Sequence, residues 1–216
     1  MLSIFSICFL SCIENKRRDS IAKIVEEWTG KEIQFPEGLT CIPIGKDTTC
    51  IDLHNDNYKI LLYVDSLGCT SCRLNLTGWK KIMNESDSAF IRKPEFVFIF
   101  QPKMKDEKEV QNIFKSNGFS HSVFIDKENE TDKINKFPTN TEFQCFLLDK
   151  DNKVIMVGNP SQYTVIWALY KKVINERETK ALMKKGNWFY SFSETANQLP
   201  DLNLIRKEAI KKTSLI

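Results

Sequence analysis

Two cysteines separated by two residues are the part of this chain whose type and spacing could do chemistry: Cys69 and Cys72, in Cys-Thr-Ser-Cys. An apolar, strand-like run precedes them and a helix-like stripe follows them. The first sulfur is therefore expected at a helix N-terminus, where unpaired backbone N–H groups and the helix dipole favour thiolate over thiol. Because thiolate is the attacking species in disulfide exchange, the pattern predicts a dithiol redox site with Cys69 as the nucleophile.

The same spacing also occurs in zinc sites and in structural disulfides. A zinc site usually takes four ligands, but the chain has no second CxxC, and its two histidines, His54 and His121, lack the spacing of a ligand pair. We therefore expect no metal. An inert structural disulfide between the two cysteines stays open as an alternative, although CxxC beside a βαβ pattern is typical of thioredoxin-like redox sites.

The elements that must position the pair follow from hydrophobic periodicity and turn residues. The pattern predicts strands and helices in the order β-α-β-α-β-β-β-α, after an N-terminal helix and a short strand. Such an order favours an α/β fold, with a mixed central sheet covered by helices. The predicted elements are a helix over Ser20–Trp28, a strand over Thr49–Leu53, a strand over Tyr58–Val64, a helix over Ser71–Glu85, a strand over Glu95–Phe100, a helix over Asp106–Asn117, a strand over Ser122–Ile125, a hairpin of Phe143–Leu148 and Lys153–Val157, and a helix from Asn159 to about Asn175.

Composition is ordinary for a globular protein: 216 residues, 42% hydrophobic and 27% charged, with a formal net charge of +3. The chain is long enough for one sizeable core with extensions. Lysine and arginine are spread along it, so neither the charge nor its distribution favours a nucleic-acid partner.

The first residues bear on the cellular location of the protein. Residues 2–10 are apolar except for two serines, a run too short to span a bilayer as a helix but typical of a signal peptide. The run ends at Cys12, and Phe9-Leu10-Ser11-Cys12 resembles a bacterial lipobox, in which the cysteine receives lipid. No lysine or arginine precedes the run, which departs from that pattern. We expect Cys12 to be lipidated and to supply the only contact with a membrane.

The remaining cysteines suit an oxidising compartment. Cys41 and Cys50 flank a turn-rich stretch and could form a structural disulfide that closes it. Cys145 is left unpaired in an apolar strand, where a free cysteine is most often a small buried hydrophobe.

Several runs together resemble the thioredoxin superfamily: YKILLYVDSLGCTSCRLNLTGWKKI, FVFIFQP, HSVFID and FQCFLLDKDNKVIMVGNP. They are most similar to its redoxin and TlpA-like branch, and to thioredoxin-like lipoproteins of the Bacteroides group that carry GCTSC. The resemblance covers about residues 20–176 and implies a thioredoxin-like fold. It also implies that Cys69 attacks, that Cys72 resolves, and that the active-site neighbours are Gly68, Thr70, Ser71, Asp65 and Phe143.

Three positions depart from the family pattern. Gly68 stands where a tryptophan usually precedes the first cysteine, and Tyr63 stands where a buried aspartate helps to move the resolving proton. Asp65 is the substitute that the sequence offers for that aspartate. Phe143 stands where the family has a cis-proline facing the CxxC. Because a non-proline cis bond costs about 3 kcal/mol, we expect a trans peptide there and an altered substrate groove.

These observations divide the chain into a lipoprotein signal peptide (1–12), a tether with an N-terminal extension (13–56), a thioredoxin-like domain (57–176) and a C-terminal extension (177–216). They predict a lipid-anchored thiol–disulfide oxidoreductase on the periplasmic face of a Gram-negative membrane. It would need no cofactor, and its partners would be protein thiols or disulfides and a protein electron partner. The alternative is a non-enzymatic envelope lipoprotein that uses a thioredoxin scaffold for binding, with Cys69–Cys72 structural. A thiol peroxidase is disfavoured, since Leu62 occupies the place of a proline that peroxiredoxins need.

Overall fold

The computed structural model describes residues 17–45, 48–65, 74–101 and 107–184. Within them the chain forms six strands, five α-helices and one 3₁₀ turn. In chain order these are α1 (17–28), β1 (Thr40–Ile42), β2 (Lys59–Val64), α2 (Leu76–Ala89), β3 (Glu95–Phe100), α3 (Glu107–Ser116), β4 (Val123–Ile125), α4 (Glu130–Asn135), the 3₁₀ turn (Thr141–Phe143), β5 (Cys145–Leu148), β6 (Val154–Val157) and α5 (Thr164–Lys184).

The six strands form one mixed sheet in the order β1-β4-β3-β2-β5-β6. β2 lies at its centre, parallel to β3 and antiparallel to β5, so that Leu62 has Phe98 on one side and Cys145 on the other. A βαβ unit (β2-α2-β3) followed by a hairpin and a helix (β5-β6-α5) gives the predicted thioredoxin-like α/β fold.

Side chains alternate across β2 and divide the core into two layers. Leu62 and its even-numbered neighbours pack in the cluster that contains Trp79 of α2 and Trp167 of α5. Tyr63 packs on the other face, in the cluster that contains Trp28 of α1. Every residue of β2 is buried, which is what its continuous apolar sequence predicts for a strand covered on both faces.

The N-terminal extension belongs to the same sheet. β1 pairs antiparallel with β4, placing Cys41 opposite Phe124, and Glu32 forms an isolated bridge with Lys153. Residues before 57 therefore complete one edge of the sheet and contribute to both core layers, with Ile42 in one and Trp28 in the other.

Two predictions about the C-terminal helix are wrong. The helix begins at Thr164 rather than Asn159, and it continues to Lys184 rather than ending near Asn175. It crosses position 176 without a break, because residues 161–185 contain no glycine or proline to stop it. Its second half is also anchored, since Glu178 is buried and pairs with Lys150 at 2.6 Å.

One strand predicted in the N-terminal half is absent from the described structure, and one helix in the middle of the chain was not predicted from the periodicity. Thr49–Leu53 is not a strand; Asp52 Oδ1 accepts the His54 N–H in a local turn instead. The missed helix α4 is only six residues long, and the buried carboxylate of Asp126 caps it by accepting the N–H groups of Glu130 and Thr131 at 2.9 and 2.8 Å. No helix in the described part of the chain has the length and apolar character needed to cross a membrane.

Candidate functional site

The predicted redox pair lies between two described elements. Residues 66–73 lie outside the described part of the chain, and they include Cys69, Cys72 and their neighbours Gly68, Thr70 and Ser71. Cys12 also lies outside the described residues. The chain enters that segment from the carboxyl end of β2 and is described again from residue 74, just before α2. The described elements therefore supply the strand before the pair and the helix after it.

The sequence predicts a continuous helix from Ser71 to Glu85, but the helix that follows the pair is interrupted. Leu74 is helical, but Asn75 adopts a left-handed conformation (φ 37°, ψ 51°), and α2 begins only at Leu76. Asparagine tolerates this conformation better than most residues. Its side chain also compensates for the break, because Asn75 Oδ1 accepts the Gly78 N–H at 3.2 Å and caps the helix.

Asn75 also ties this helix to the turn that precedes α5. Its Nδ2 donates to the Ser161 carbonyl at 2.5 Å. Ser161 is held in turn by Asn159, whose Oδ1 accepts both the backbone N–H and the hydroxyl of Ser161. Gly78 lies at this contact, where an added Cβ would be 2.7 Å from the Ser161 carbonyl oxygen. The close approach of α2 to the turn therefore requires glycine at position 78.

A groove of about 220 Å³ lies at the carboxyl end of β2, the end from which the chain enters residues 66–73. One wall is the 3₁₀ turn and the residue after it, and the other is the turn before α5. Apart from the β2 residues at its base, its lining side chains among the described residues are polar. The lining residues are Leu62, Tyr63, Val64, Thr141, Glu142, Gln144, Asn159 and Gln162.

The sequence predicts that Phe143 begins a strand, and this prediction is wrong. Phe143 ends the 3₁₀ turn, and β5 starts two residues later at Cys145. The turn forms because Asn140 Oδ1 caps it by accepting the Glu142 N–H at 3.1 Å. The peptide bond before Phe143 is trans, as are all peptide bonds in the described part of the chain.

Gln144 is the buried polar residue of the groove, with 4% of its surface exposed. Its backbone carbonyl accepts the Tyr63 N–H at 2.9 Å, which fixes the turn against the end of β2. Its side-chain Nε2 donates to the Pro138 carbonyl at 3.0 Å and lies 3.5 Å from Asp65 Oδ2. Its Oε1 is buried and has no hydrogen-bond partner among the described residues.

Asp65 follows β2 directly and is partly exposed. Of the site residues predicted from the sequence, the structure thus places Asp65 near the Gln144 side chain and Phe143 directly before Gln144 in the chain. The position of Asp65 relative to Cys72 involves residues outside the described part, so its role as a proton acceptor stays a prediction.

Tyr63 cannot replace the family's buried aspartate as a base. Its hydroxyl donates to Asn129 Oδ1 at 2.7 Å, and its ring packs on Phe137 with centroids 4.6 Å apart. Burial, together with the nearby carboxylates of Asp132 and Asp126, raises the pKa of Tyr63 far above its ordinary value. The phenol therefore stays protonated at neutral pH and holds α4 against the sheet.

The other cysteines are placed as the sequence predicts. Cys41 and Cys50 are joined by a disulfide with their Cα atoms 6.1 Å apart. Cys145 is a free cysteine, buried in β5. Burial strongly raises the pKa of the Cys145 thiol, so it stays neutral and unreactive. Among the described residues, no group of three or more His, Cys, Asp or Glu side chains could hold a metal ion.

Neither a protein-family model nor a curated protein matches the sequence. Solved structures with similar coordinates include the thioredoxin domain of a thiol-disulfide oxidoreductase from Bacteroides vulgatus. It is 12% identical with a TM-score of 0.47, over 68% of this chain and 98% of that one.

StoA from Bacillus subtilis is 16% identical with a TM-score of 0.41, over 52% of this chain and 83% of that one. A thioredoxin-like protein from Bacteroides caccae is 18% identical with a TM-score of 0.43, over 73% of this chain and 55% of that one. These similarities concern the fold alone, and the strand order and connectivity of the sheet carry the fold assignment.

Sequence reasoning misses Gln144, Asn75 and the groove itself. The one signal for Gln144 is a polar residue directly before the apolar run of β5. Its contacts with Tyr63 and Asp65 join residues about 80 positions apart and cannot be derived from local pattern. Asn159 does act as a cap, but for the turn at Ser161 rather than for the first turn of α5.

Proposed function

We propose that this protein is a thiol–disulfide oxidoreductase of the cell envelope that acts through Cys69 and Cys72. One observation carries the proposal: the CxxC lies in the sequence between the buried central strand β2 and helix α2, and a polar groove lies at the carboxyl end of β2, where the chain leaves the strand. In open α/β sheets, ligands bind at the carboxyl ends of the strands. A substrate in this groove would therefore lie at the end of β2 from which the chain continues to Cys69 and Cys72.

The proposed exchange has two steps. The Cys69 thiolate attacks one sulfur of a substrate disulfide, which forms a mixed disulfide and releases the other substrate sulfur as a thiolate that takes a proton. The Cys72 thiolate then attacks the Cys69 sulfur, forms the Cys69–Cys72 disulfide and releases the second substrate thiolate. Two electrons pass to the substrate, and a second protein dithiol must reduce the pair again. In reverse the same pair donates a disulfide.

Asp65 is the proposed acceptor for the Cys72 proton. It is the carboxylate that follows β2 directly, and the nearby Tyr63 phenol is protonated and committed to Asn129. The Gln144 Nε2 lies 3.5 Å from Asp65 Oδ2 and can hold that carboxylate at the groove.

We also propose that the protein is anchored by lipid on Cys12 and faces the periplasm of a Gram-negative bacterium. The lipobox-like residues before Cys12 support an anchor. The Cys41–Cys50 disulfide supports an oxidising compartment, because such bonds are rare in the cytosol. Extraction of the full-length protein with detergent, before and after Cys12→Ala, would test the anchor. Wild-type protein that is unacylated and free of the membrane would contradict it.

Trapping of partners tests the exchange itself. Cys72→Ser leaves the attacking thiol without its resolving partner, so it should accumulate mixed disulfides in cells. Its matched control, Cys69→Ser, should accumulate none. The measurement is non-reducing electrophoresis of affinity-purified protein, with loss of the adducts on reduction. An equal yield of adducts from the two variants would contradict the assignment of Cys69 as nucleophile.

A second function is favoured by one specific observation. The position of the family's cis-proline is occupied by Phe143 with a trans peptide bond, and Tyr63 occupies the position of the buried aspartate. A thioredoxin scaffold that has lost both groups could serve as a binding protein with Cys69–Cys72 as a structural disulfide. The reduction potential of the pair separates the two functions, because structural disulfides have lower potentials than disulfides that exchange.

A further inference from the structure

Residues 30–42, which we call the strap, cross one face of the sheet from edge to edge. At one end, the Gly30 N–H donates to the carbonyl of Val154 in the edge strand β6 at 2.8 Å, and the Val154 N–H donates to the Lys31 carbonyl at 2.9 Å. At the other end, the strap finishes as β1, the opposite edge strand, which pairs with β4. Ile33, between the two ends, is buried in the core layer of that face. The strap therefore joins the two edges of the sheet.

The first end and the middle of the strap are fixed by contacts of their own. The Ile33 N–H donates to the Asn152 carbonyl at 2.9 Å. The Asn135 side chain of α4 accepts the Gln34 N–H and donates to the Gln34 carbonyl, at 2.9 and 2.8 Å. None of these contacts involves β1, so they hold this part of the strap whether or not β1 is paired.

The far end of the strap is held by a disulfide in addition to strand pairing. Cys41, the middle residue of β1, is bonded to Cys50. Ile44, which lies between the two cysteines, is fully buried in one core layer, whereas Leu53, after Cys50, is buried in the other. The disulfide therefore closes the chain where it passes round the edge of the sheet.

β1 depends on this bond more than a longer strand would. It has three residues, whereas strands in globular proteins usually have about 5–6, and no other strand in the described part of the chain pairs with its outer edge. A disulfide restricts the opened chain, and for a loop as short as that between Cys41 and Cys50 the chain-entropy model gives a factor of about 10 to 100. Opening the disulfide should therefore strongly raise the population of detached β1.

The disulfide is also within reach of a thiol reductant. Cys50 is exposed, and Cys41 is only partly buried. The free cysteine Cys145, by contrast, is 1% exposed. Exposed disulfides are reduced more readily than buried structural ones, and they include those with regulatory roles.

We propose that the Cys41–Cys50 disulfide is a redox-sensitive lock that keeps β1 paired with β4. When a dithiol reductant opens it, β1 is released and the edge of β4 is left unpaired, while the rest of the strap stays in place. The lock does not involve Cys69 or Cys72, so it goes beyond the proposed exchange.

The opening step is a thiol–disulfide exchange with the dithiol as electron donor. One thiolate of the dithiol attacks the Cys50 sulfur, the bond to Cys41 breaks, and the Cys41 sulfur leaves as a thiolate that takes a proton. The second thiolate of the dithiol then attacks the mixed disulfide, closes the donor's own disulfide and releases Cys50 as a thiolate, which is also protonated. Two electrons pass from the dithiol to the Cys41–Cys50 pair.

The first measurement determines whether the bond opens in the folded protein. Full-length Cys69→Ser/Cys72→Ser protein is treated with dithiothreitol in native buffer and alkylated with iodoacetamide, and each cysteine is followed by peptide mass spectrometry. We expect Cys41 and Cys50 to be alkylated while Cys145 stays unmodified, because a buried thiol reacts only when the structure around it opens. Alkylation of all three at one rate would show that reduction requires unfolding, and would overturn the inference.

The second measurement is amide hydrogen exchange of the same protein, oxidised and reduced. Reduction should speed exchange of the β1 amides by about 10- to 100-fold. The amides of Gly30, Ile33 and Gln34, at the independently fixed end of the strap, should be unchanged and serve as the internal control. Cys41→Ser/Cys50→Ser should reproduce the reduced pattern without any reductant.

Two exchange results would also overturn the inference. One is β1 exchange that is the same in the oxidised and the reduced protein, and the other is an equal increase along the whole strap, which would make the disulfide a general stabiliser. If Cys41→Ser/Cys50→Ser fails to fold, the reduced protein with unmodified Cys145 still decides. Because the test protein lacks Cys69 and Cys72, failure of the proposed exchange would leave both measurements unaffected.

Discussion

The two ends of the central strand β2 treat buried polar groups in opposite ways. At its amino end Lys59 is fully buried, and its ammonium donates to the carbonyls of Asn55 and Asn57 at 2.7 and 3.2 Å. At its carboxyl end Gln144 is nearly as buried, but its Oε1 has no partner among the described residues and a groove of about 220 Å³ lies beside it.

This difference separates stability from binding along a single strand. Where the ammonium of a buried lysine is satisfied by backbone carbonyls, the interaction closes the loop of residues 55–57 over the sheet. At the carboxyl end, an acceptor without a partner among the described residues lies at the proposed substrate groove, and unsatisfied groups of this kind are rare outside functional sites. Substitutions at the amino end should therefore change stability, and those at the carboxyl end should change reactivity.

The largest effect is expected from Lys59→Ala. The substitution removes a fully buried aliphatic stem together with the donor to Asn55 and Asn57. A large-to-small change at such a site lowers the free energy of unfolding by about 2–5 kcal/mol. Urea unfolding followed by tryptophan fluorescence would measure it. A loss below about 1 kcal/mol would show that the amino end of β2 is not a stability element.

The matched variant Lys59→Met keeps the stem and removes the ammonium alone. It should lower the free energy of unfolding by about 1–3 kcal/mol, because the two carbonyls lose their donor. The difference between the two variants separates the contribution of packing from that of hydrogen bonding.

A smaller effect is expected from Gly78→Ala, at the contact between α2 and the Ser161 turn. The added methyl carbon would meet the Ser161 carbonyl oxygen at 2.7 Å and the Asn75 side-chain amide. Overpacking of this kind costs about 1–3 kcal/mol, and the better helix propensity of alanine offsets up to about 1 kcal/mol of it. The rate of disulfide exchange with a substrate disulfide should also fall, since Asn75 lies three residues after Cys72.

Ser88→Ala is the control for this prediction, because Ser88 is exposed on the same helix. It should stay within about 0.5 kcal/mol of wild type. If Gly78→Ala is equally neutral in both stability and rate, α2 does not depend on its contact with the Ser161 turn.

The smallest effect concerns alkaline pH and Tyr58, which lies next to Lys59. Burial, with the nearby Glu178, raises the pKa of Tyr58 to about 12 from its ordinary value of 10.0. Because the folded pKa exceeds the unfolded one, the stabilisation is complete below pH 10 and is lost as the pH rises to about 12. Tyr58→Phe should therefore flatten the fall in unfolding free energy across this window by roughly 1 kcal/mol per pH unit.

Tyr163→Phe removes a phenol that is 45% exposed and serves as the control. The pH dependence of its urea midpoint should match that of wild type. A Tyr58→Phe variant that also matches wild type would contradict the claim that the amino end of β2 keeps its polar groups in a water-excluded setting.

The fold was predictable where burial alone decides it. β2 and β3 are continuous apolar runs, and the sequence predicts Glu95–Phe100 with the bounds that the structure has. Elements decided by single polar contacts were not predictable. Helix α4 depends on the Asp126 carboxylate as its cap, and the break before α2 depends on the bond from Asn75 to Ser161.

The candidate site divides in the same way. CxxC is a local pattern, so the sequence shows the candidate dithiol directly. The groove depends on the approach of the Thr141–Gln144 and Asn159–Gln162 segments to the end of β2. Such an approach between distant segments cannot be predicted from sequence spacing. The sequence does show the departure at Phe143, but not that the residue after it carries the buried acceptor.

The reduction potential of the Cys69–Cys72 pair tests the central claim most directly. It can be measured by equilibrating the mature protein with glutathione buffers, and Cys145→Ala excludes any contribution from the buried free thiol. If the pair exchanges disulfides, its potential should lie between about −120 and −270 mV, the range of thiol–disulfide oxidoreductases. A potential below about −300 mV is typical of structural disulfides and would contradict the oxidoreductase in favour of the binding scaffold.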